Sequence, residues 1–104
     1  LNNIQDMKRC LYHGFPFVFG ISVYSSFMSD HVASTGIVPM PGPHESLEGG
    51  HALTCVGSDD AKMAFLVRNS WGTGWGLEGY CWIPYSYMTN PELASDMYTL
   101  RRIK

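Results

Sequence analysis

His51 opens the apolar run HALTCV and Asn69 closes the run MAFLVRN, and the connector GSDDAK between them supplies turn chemistry through its Gly and paired Asp. The two runs read as strands of a β-hairpin. Folded symmetrically about Asp60, the hairpin sets Cys55 opposite Phe65, Leu53 opposite Val67 and His51 opposite Asn69. Directly opposed side chains have Cβ atoms roughly 4.5 to 5.5 Å apart, close enough for an imidazole N–H to donate to an amide oxygen. A slip of one residue would send the two to opposite faces. Paired in this way they form an orienter and a base: the amide oxygen fixes one ring nitrogen as N–H and leaves the other to exchange a proton with a nucleophile. An amide suits a thiolate partner, because it holds the ring without offsetting a full charge on an imidazolium already paired with sulfur.

A single His and a single Asn near a turn also read as ordinary polar residues, and the segment NSWGTGWG weighs against that reading. It packs an Asn, two tryptophans and three glycines into eight residues, a composition that costs backbone entropy and serves poorly as a generic strand or linker. Trp71 can lie over the His51–Asn69 contact and exclude water that would compete for the hydrogen bond.

The elements that must position these residues follow from local pattern. In NNIQDMKRCLYHG the apolar Ile4, Met7, Cys10 and Leu11 recur at helical spacing, with Asn2 or Asn3 as cap and Gly14 as stop, which predicts an amphipathic helix. A strand is expected over Phe17 to Tyr24, with Gly20 marking a bend or a close approach. Ser25 to Gly50 reads mostly as surface loop, with a short edge-like strand in TGIVPMPGP. GYCWIPY reads as a strand ended by Pro84, TNPELASD as a short late helix with Pro at its first position, and MYTLRRI as a closing strand. The expectation is an α+β domain with a mainly antiparallel sheet, since the βαβ rhythm of a parallel sheet is missing.

Bulk composition narrows the function classes. The 104 residues with 45% hydrophobic content supply one modest core rather than two. Charged residues are 15% with a net charge of -2 and scattered signs, which gives no electrostatic basis for capturing nucleic acid or an anionic membrane. Arg101, Arg102 and Lys104 form one small terminal cluster, expected to be solvated. No stretch approaches the roughly 20 apolar residues of a bilayer span. LNNIQDMKRC is not a signal peptide, and without a leading Met the chain reads as a piece of a longer protein whose location stays open. Cys10, Cys55 and Cys81 include no CxxC pair, and His13, His31, His44 and His51 lack metal-ligand spacing, so no disulfide framework, metal site or cofactor is expected.

GGHALTCVG and VRNSWGTGWGLEGY resemble the histidine and asparagine segments of papain-like cysteine peptidases, and a looser resemblance runs from FPFVFGISVY to YTLRRI. Residues 1–104 are thereby identified as similar to the C-terminal, β-rich right-hand domain of that fold, an antiparallel barrel-like sheet. The His51–Asn69 hairpin and PYSYM look most like bacterial members. The resemblance implies a hydrolase that cleaves peptide bonds, with His51 as general base and imidazolium partner, Asn69 as its orienter and Trp71 as shield. It implies that Trp75 walls the primed side of the cleft. Gly50, Ala52 and Gly20 would border the pocket for the substrate side chain two residues before the scissile bond, with Ser95 at its floor.

The family's nucleophilic Cys and oxyanion-hole Gln belong to an N-terminal stretch of the Q-x6-CGSCW type, which these 104 residues lack. Cys10 on its helix, Cys55 in a strand and Cys81 beside Trp82 read instead as small apolar residues. The chain alone is therefore expected to be inactive, with an N-terminal half as partner, peptide or protein as substrate, and an uncovered apolar face that favours self-association. The second reading is a non-catalytic peptide- or protein-binding module derived from a peptidase half. Retention of both His51 and Asn69 argues against long decay.

Overall fold

The computed structural model describes residues 3–99, with side chains through residue 95. Helix α1 spans Ile4–Tyr12, capped by Asn3, whose Oδ1 accepts from the Asp6 N–H at 2.9 Å, and it buries Met7 and Cys10. Strand β1 occupies Phe17–Tyr24 with the predicted bounds and alternates strictly, turning Phe17, Phe19, Ile21 and Val23 into the core. The other strands are β2 (Leu47–Asp59), β3 (Ala64–Arg68), β4 (Tyr80–Pro84) and β5 (Ala94–Thr99). They form an antiparallel sheet in the order β4-β3-β2-β1-β5, which makes the strand bearing His51 the central one. The fold is α+β, as the pattern predicts. The Leu100–Ile103 part of the expected closing strand, the basic cluster and the alternative cap Asn2 lie outside the described residues.

The hairpin register differs from the symmetric one. Cys55 pairs with Val67 and Thr54 with Arg68, whereas Ser58 pairs with Phe65 and Asp59 with Ala64. The turn is centred later than Asp60 because Asp59 Oδ1 accepts from the Ala61 N–H at 2.9 Å and Met63 takes a left-handed φ of 53°. A bulge at Val56 then absorbs one residue. Without it the register set at the turn would carry His51 and Asn69 to opposite faces; with it they share one. Extrapolated past Arg68, the observed register sets His51 level with Trp71 and a diagonal step from Asn69.

Two stretches fold differently from the sequence expectation. Ser25 to Gly50 holds a 3-10 turn at Ser25–Met28 and a helix α2 at Asp30–Thr35, with Ser29 as N-cap and Gly36 as left-handed stop. The edge-like strand there is a bridge between Ile37 and Trp82 along β4. The short late helix, α3, lies at Tyr85–Met88, directly after Pro84, because Tyr85, Tyr87 and Met88 are all buried there. TNPELASD instead makes one turn, in which Asn90 Oδ1 accepts from the Glu92 N–H at 2.9 Å, and β5 starts at Ala94.

The core gathers Met7, Phe17, Phe19, Phe27, Phe65, Ile83 and Tyr87 with all three cysteines. The loop between β3 and β4 is clamped onto α2 by the Gly76 N–H, which donates to Ala33 O at 2.6 Å, and is closed on itself by the Asn69 N–H, which donates to Gly79 O at 2.9 Å. At the far end of the hairpin, Asp60 accepts from the Tyr85 phenol at 2.6 Å and from Lys8 of α1 at 2.9 Å.

Two stability predictions follow from these contacts. The Tyr85 phenol first, and then Lys8, hold the Asp60 carboxyl below its ordinary range. A group depressed on folding stabilises above its unfolded pKa and loses that contribution as pH falls through the folded value. The melting temperature of D60N should therefore trail wild type near neutral pH, with the gap closing in acid; a gap independent of pH would refute the assignment. Gly76 has φ 62°, and a Cβ there would sit 2.5 Å from Tyr80 O, whereas Gly74 has nothing within 4 Å. G76A should cost roughly 1–3 kcal/mol or more in thermal unfolding and G74A close to nothing.

Candidate active site

His51 projects from β2, and Asn69 is the first residue beyond β3, its backbone fixed by the bond to Gly79. His51 Nε2 lies 2.7 Å from Asn69 Oδ1. The same oxygen accepts from the Ser70 N–H at 2.8 Å, which orients the carboxamide with oxygen toward the ring. An amide oxygen only accepts, so Nε2 carries the proton and Nδ1 keeps a lone pair, the tautomer a general base requires. Asn69 is 6% exposed. Its Nδ2 is buried and has no hydrogen-bond partner among the described residues.

Trp71 stacks on the imidazole with centroids 5.0 Å apart and planes 20° from parallel. Its edge meets Trp75 at 5.3 Å and Phe27 at 5.6 Å, and Phe27 stacks on Trp75 at 5.7 Å. Trp71 is itself 40% exposed, so the indole lies between solvent and the ring, while fully buried Phe27 anchors it from below. The 3-10 turn carrying Phe27 is stapled by Glu45: Oε1 accepts from the Ser26 N–H and Oε2 from the Gly42 N–H, each at 2.7 Å. The Gly42 and Ser26 donors hold that carboxyl below its ordinary range. Neither Phe27 nor Glu45 is identifiable from sequence spacing; the aromatic NSWGTGWG could have suggested only that some buried ring must back it.

Gly20, Gly50, Ala52 and Ser95 lie with His51 around one open depression of about 480 Å³, which Ser22, Glu92 and Leu93 also line. Gly20 of β1 pairs with Ala52 on one side and Ser95 on the other, which brings three strands to this spot. A Cβ at Gly20 would come no nearer than 3.7 Å to Ser95 O, and one at Gly50 no nearer than 3.9 Å to Ile21 O. Side chains there would occupy the depression rather than the fold. The sequence-predicted residues thus assemble as two groups sharing His51: the ring with Asn69, Trp71 and Trp75, and the small residues of the depression.

The cysteines stand apart. Cys55 and Cys81 are free and fully buried, and Cys10 is buried with Sγ donating to Phe15 O at 3.0 Å. Burial pushes the Cys55 thiol far up and Cys81 to about 12, so neither is a thiolate near neutral pH. Cys55 is four strand residues from His51, roughly 13 Å away along β2. Among the described residues, no three His, Cys, Asp or Glu side chains converge as metal ligands, and no helix is long and apolar enough to cross a membrane.

Comparison with known proteins is consistent with this geometry. The family model described as papain family cysteine protease matches residues 1–100. An uncharacterized peptidase C1-like protein of Acanthamoeba polyphaga mimivirus is 46% identical over 102 residues, covering 98% of this chain and 33% of that protein. The crystal structure of xylellain, a cysteine protease from Xylella fastidiosa, superposes with a TM-score of 0.92 at 42% identity, covering 100% of this chain and 38% of that one. ProCathepsin B S9 from Trypanosoma congolense gives a TM-score of 0.66 at 27% identity over 94% of this chain and 32% of its own. The chain thus spans about a third of each of these three proteins, and over that span it belongs to the papain family of cysteine proteases.

Proposed function

We propose that residues 1–104 are the β-rich C-terminal half of a papain-like cysteine peptidase, a hydrolase in which this chain supplies the base and its orienter. The observation that carries the reading is the 2.7 Å bond from His51 Nε2 to Asn69 Oδ1 beneath the stacked Trp71. An N-terminal half supplies the nucleophilic Cys and the oxyanion-hole Gln, as the partial coverage of the relatives supports. The xylellain match supports kinship with bacterial members, alongside the mimivirus protein.

In the assembled site, Nδ1 of His51 takes the proton of the cysteine thiol, and the thiolate adds to the peptide carbonyl carbon. Collapse of the tetrahedral adduct breaks the C–N bond as the imidazolium returns its proton to the leaving amine. Water then attacks the thioester, giving its proton to His51, and the carboxylic acid leaves as the thiol is restored. Asn69 keeps Nε2 protonated throughout, and Trp71 keeps water off that bond. Gly20, Gly50, Ala52 and Ser95 form the recess for the substrate side chain two residues before the cleaved bond, and Trp75 backs the primed side. Alone, the chain lacks nucleophile and oxyanion donors and is inactive.

Joined to its nucleophile-bearing half, the chain should direct a thiol-reactive peptidyl probe to a cysteine outside residues 1–104. H51A should abolish labelling and N69A should lower kcat by roughly 10²–10⁴. Alanine at Cys10, Cys55 or Cys81, singly, should leave labelling in place. Absence of labelling in the folded wild type would favour the non-catalytic binding module. Met28, Ile37, Met40, Leu47 and Leu77 are exposed apolar side chains, and Ile37 and Leu77 lie together, which supports partial cover by the other half. In sedimentation the isolated chain should self-associate or pair with that half, and a well-behaved monomer would count against this.

A further inference from the structure

Tyr87 is a fully buried phenol that no step of the proposed chemistry uses. It sits in α3, the segment following Pro84, and its hydroxyl donates to the backbone oxygen of Ser22. Ser22 is the residue of β1 through which the strand meets the turn before β5: its N–H donates to Leu93 O at 2.8 Å and its hydroxyl to Glu92 O at 3.3 Å. Ser22, Glu92 and Leu93 all line the depression beside His51. Three hydrogen bonds therefore join one residue, Ser22, to the buried helix and to the outer wall of that depression.

The β1–β5 ladder reaches this wall through one bond only, from the Ser22 N–H to Leu93 O. Between β1 and β5 the register shifts near Gly20, and the last pairing on this side is Ile21 with Ala94. Beyond it the Ser22 N–H to Leu93 O bond keeps the same register, but the Leu93 N–H turns back to Asn90 O, and the Ser22 oxygen takes the Tyr87 phenol in its place. Burial pushes the phenol up to about 12, so it remains protonated and donating across the neutral range. On the opposite side of Ser22, β2 approaches through Gly50, which carries no side chain to brace it.

We propose that Tyr87 is a positioning residue for the depression: its bond to Ser22 fixes the outer wall formed by Ser22, Glu92 and Leu93, and so sets how tightly a substrate side chain is held there. The inference rests on the peptidase reading for the identity of the occupant, but its structural half does not. His51 pairs with Ile21 of β1, but its ring is held by Asn69 and Trp71, from the end of β3 and the β3–β4 loop, so loosening the wall leaves the imidazole's own contacts in place. Tyr87 then acts on binding and not on the proton-transfer step.

The test compares wild type, Y87F and M88L in the chain joined to its nucleophile-bearing half. M88L alters the same buried helix with little change of volume and leaves the phenol intact. Y87F should speed hydrogen exchange of the Ser22 amide by roughly three- to tenfold while Cys55 and Val67 in the β2–β3 ladder stay as in wild type. It should raise KM for a peptide substrate by a similar factor, with kcat and the alkylation rate by iodoacetamide within about twofold of wild type. M88L should show neither change. Unchanged Ser22 exchange in Y87F, or acceleration spread equally over the ladder, would overturn the assignment. Faster Ser22 exchange in a protein that neither cleaves peptides nor alkylates would uphold the Tyr87–Ser22 coupling and overturn the peptidase reading instead.

Discussion

A strand residue changes faces with every one-residue shift of register, and His51 and Asn69 can bond only if an even shift separates them from direct opposition. The turn at Asp59 to Met63 starts the hairpin in the wrong parity, and the bulge at Val56 corrects it. Everything at the site inherits that correction: the diagonal reach of His51 to Asn69, the level placement of the imidazole with Trp71, and the entry of the β3–β4 loop over α2. The bulge lies on the central strand just past Cys55, where the pairing with β1 begins at Phe17.

Hydrogen-bond strength at the pair depends on what surrounds it. In water the imidazole would exchange the amide for solvent at small net cost; beneath an indole the alternative is an unpaired group, and the bond is correspondingly more decisive. The aromatic cluster supplies this from a glycine-rich loop that is clamped to α2, with Trp71 and Trp75 both packed on Phe27. Phe27 in turn is set by a carboxylate, Glu45, that binds two backbone N–H groups from separate segments. A half-buried acid thus controls the placement of a buried ring, two contacts away from the imidazole.

Much of this was legible beforehand where the signal is local. The alternation of β1, the Asn3 cap and the apolar spacing of α1 are properties of neighbouring residues, and they match the structure. The hairpin's existence was legible and its register was not, since a bulge leaves no mark beyond a Val followed by Gly57. Helix α2 carried a readable cap and stop in Ser29 and Gly36, obscured by the loop-like composition around it. Helix α3 formed where tertiary burial of Tyr85, Tyr87 and Met88 outweighed the better start signal at Asn90 and Pro91. At the site, His51 and Asn69 stood out by type and spacing, whereas Glu45, Phe27 and Tyr87 act through partners distant in sequence.

The unpaired Nδ2 of Asn69 bears on why an amide is there at all. A buried donor without a partner costs about 1–3 kcal/mol, and an apolar residue of the same shape would avoid that cost. Aspartate would also remove the donor, but it would place a nearly buried charge against the ring and favour the imidazolium regardless of what the other nitrogen faces. The carboxamide offers one oxygen, used twice, and no charge. A ring held by a neutral acceptor keeps Nδ1 free to gain or lose a proton according to its own partner, which is what a base working with a thiol needs. The orphaned nitrogen is the cost of that neutrality, the one buried side-chain nitrogen or oxygen left without a partner among the described residues.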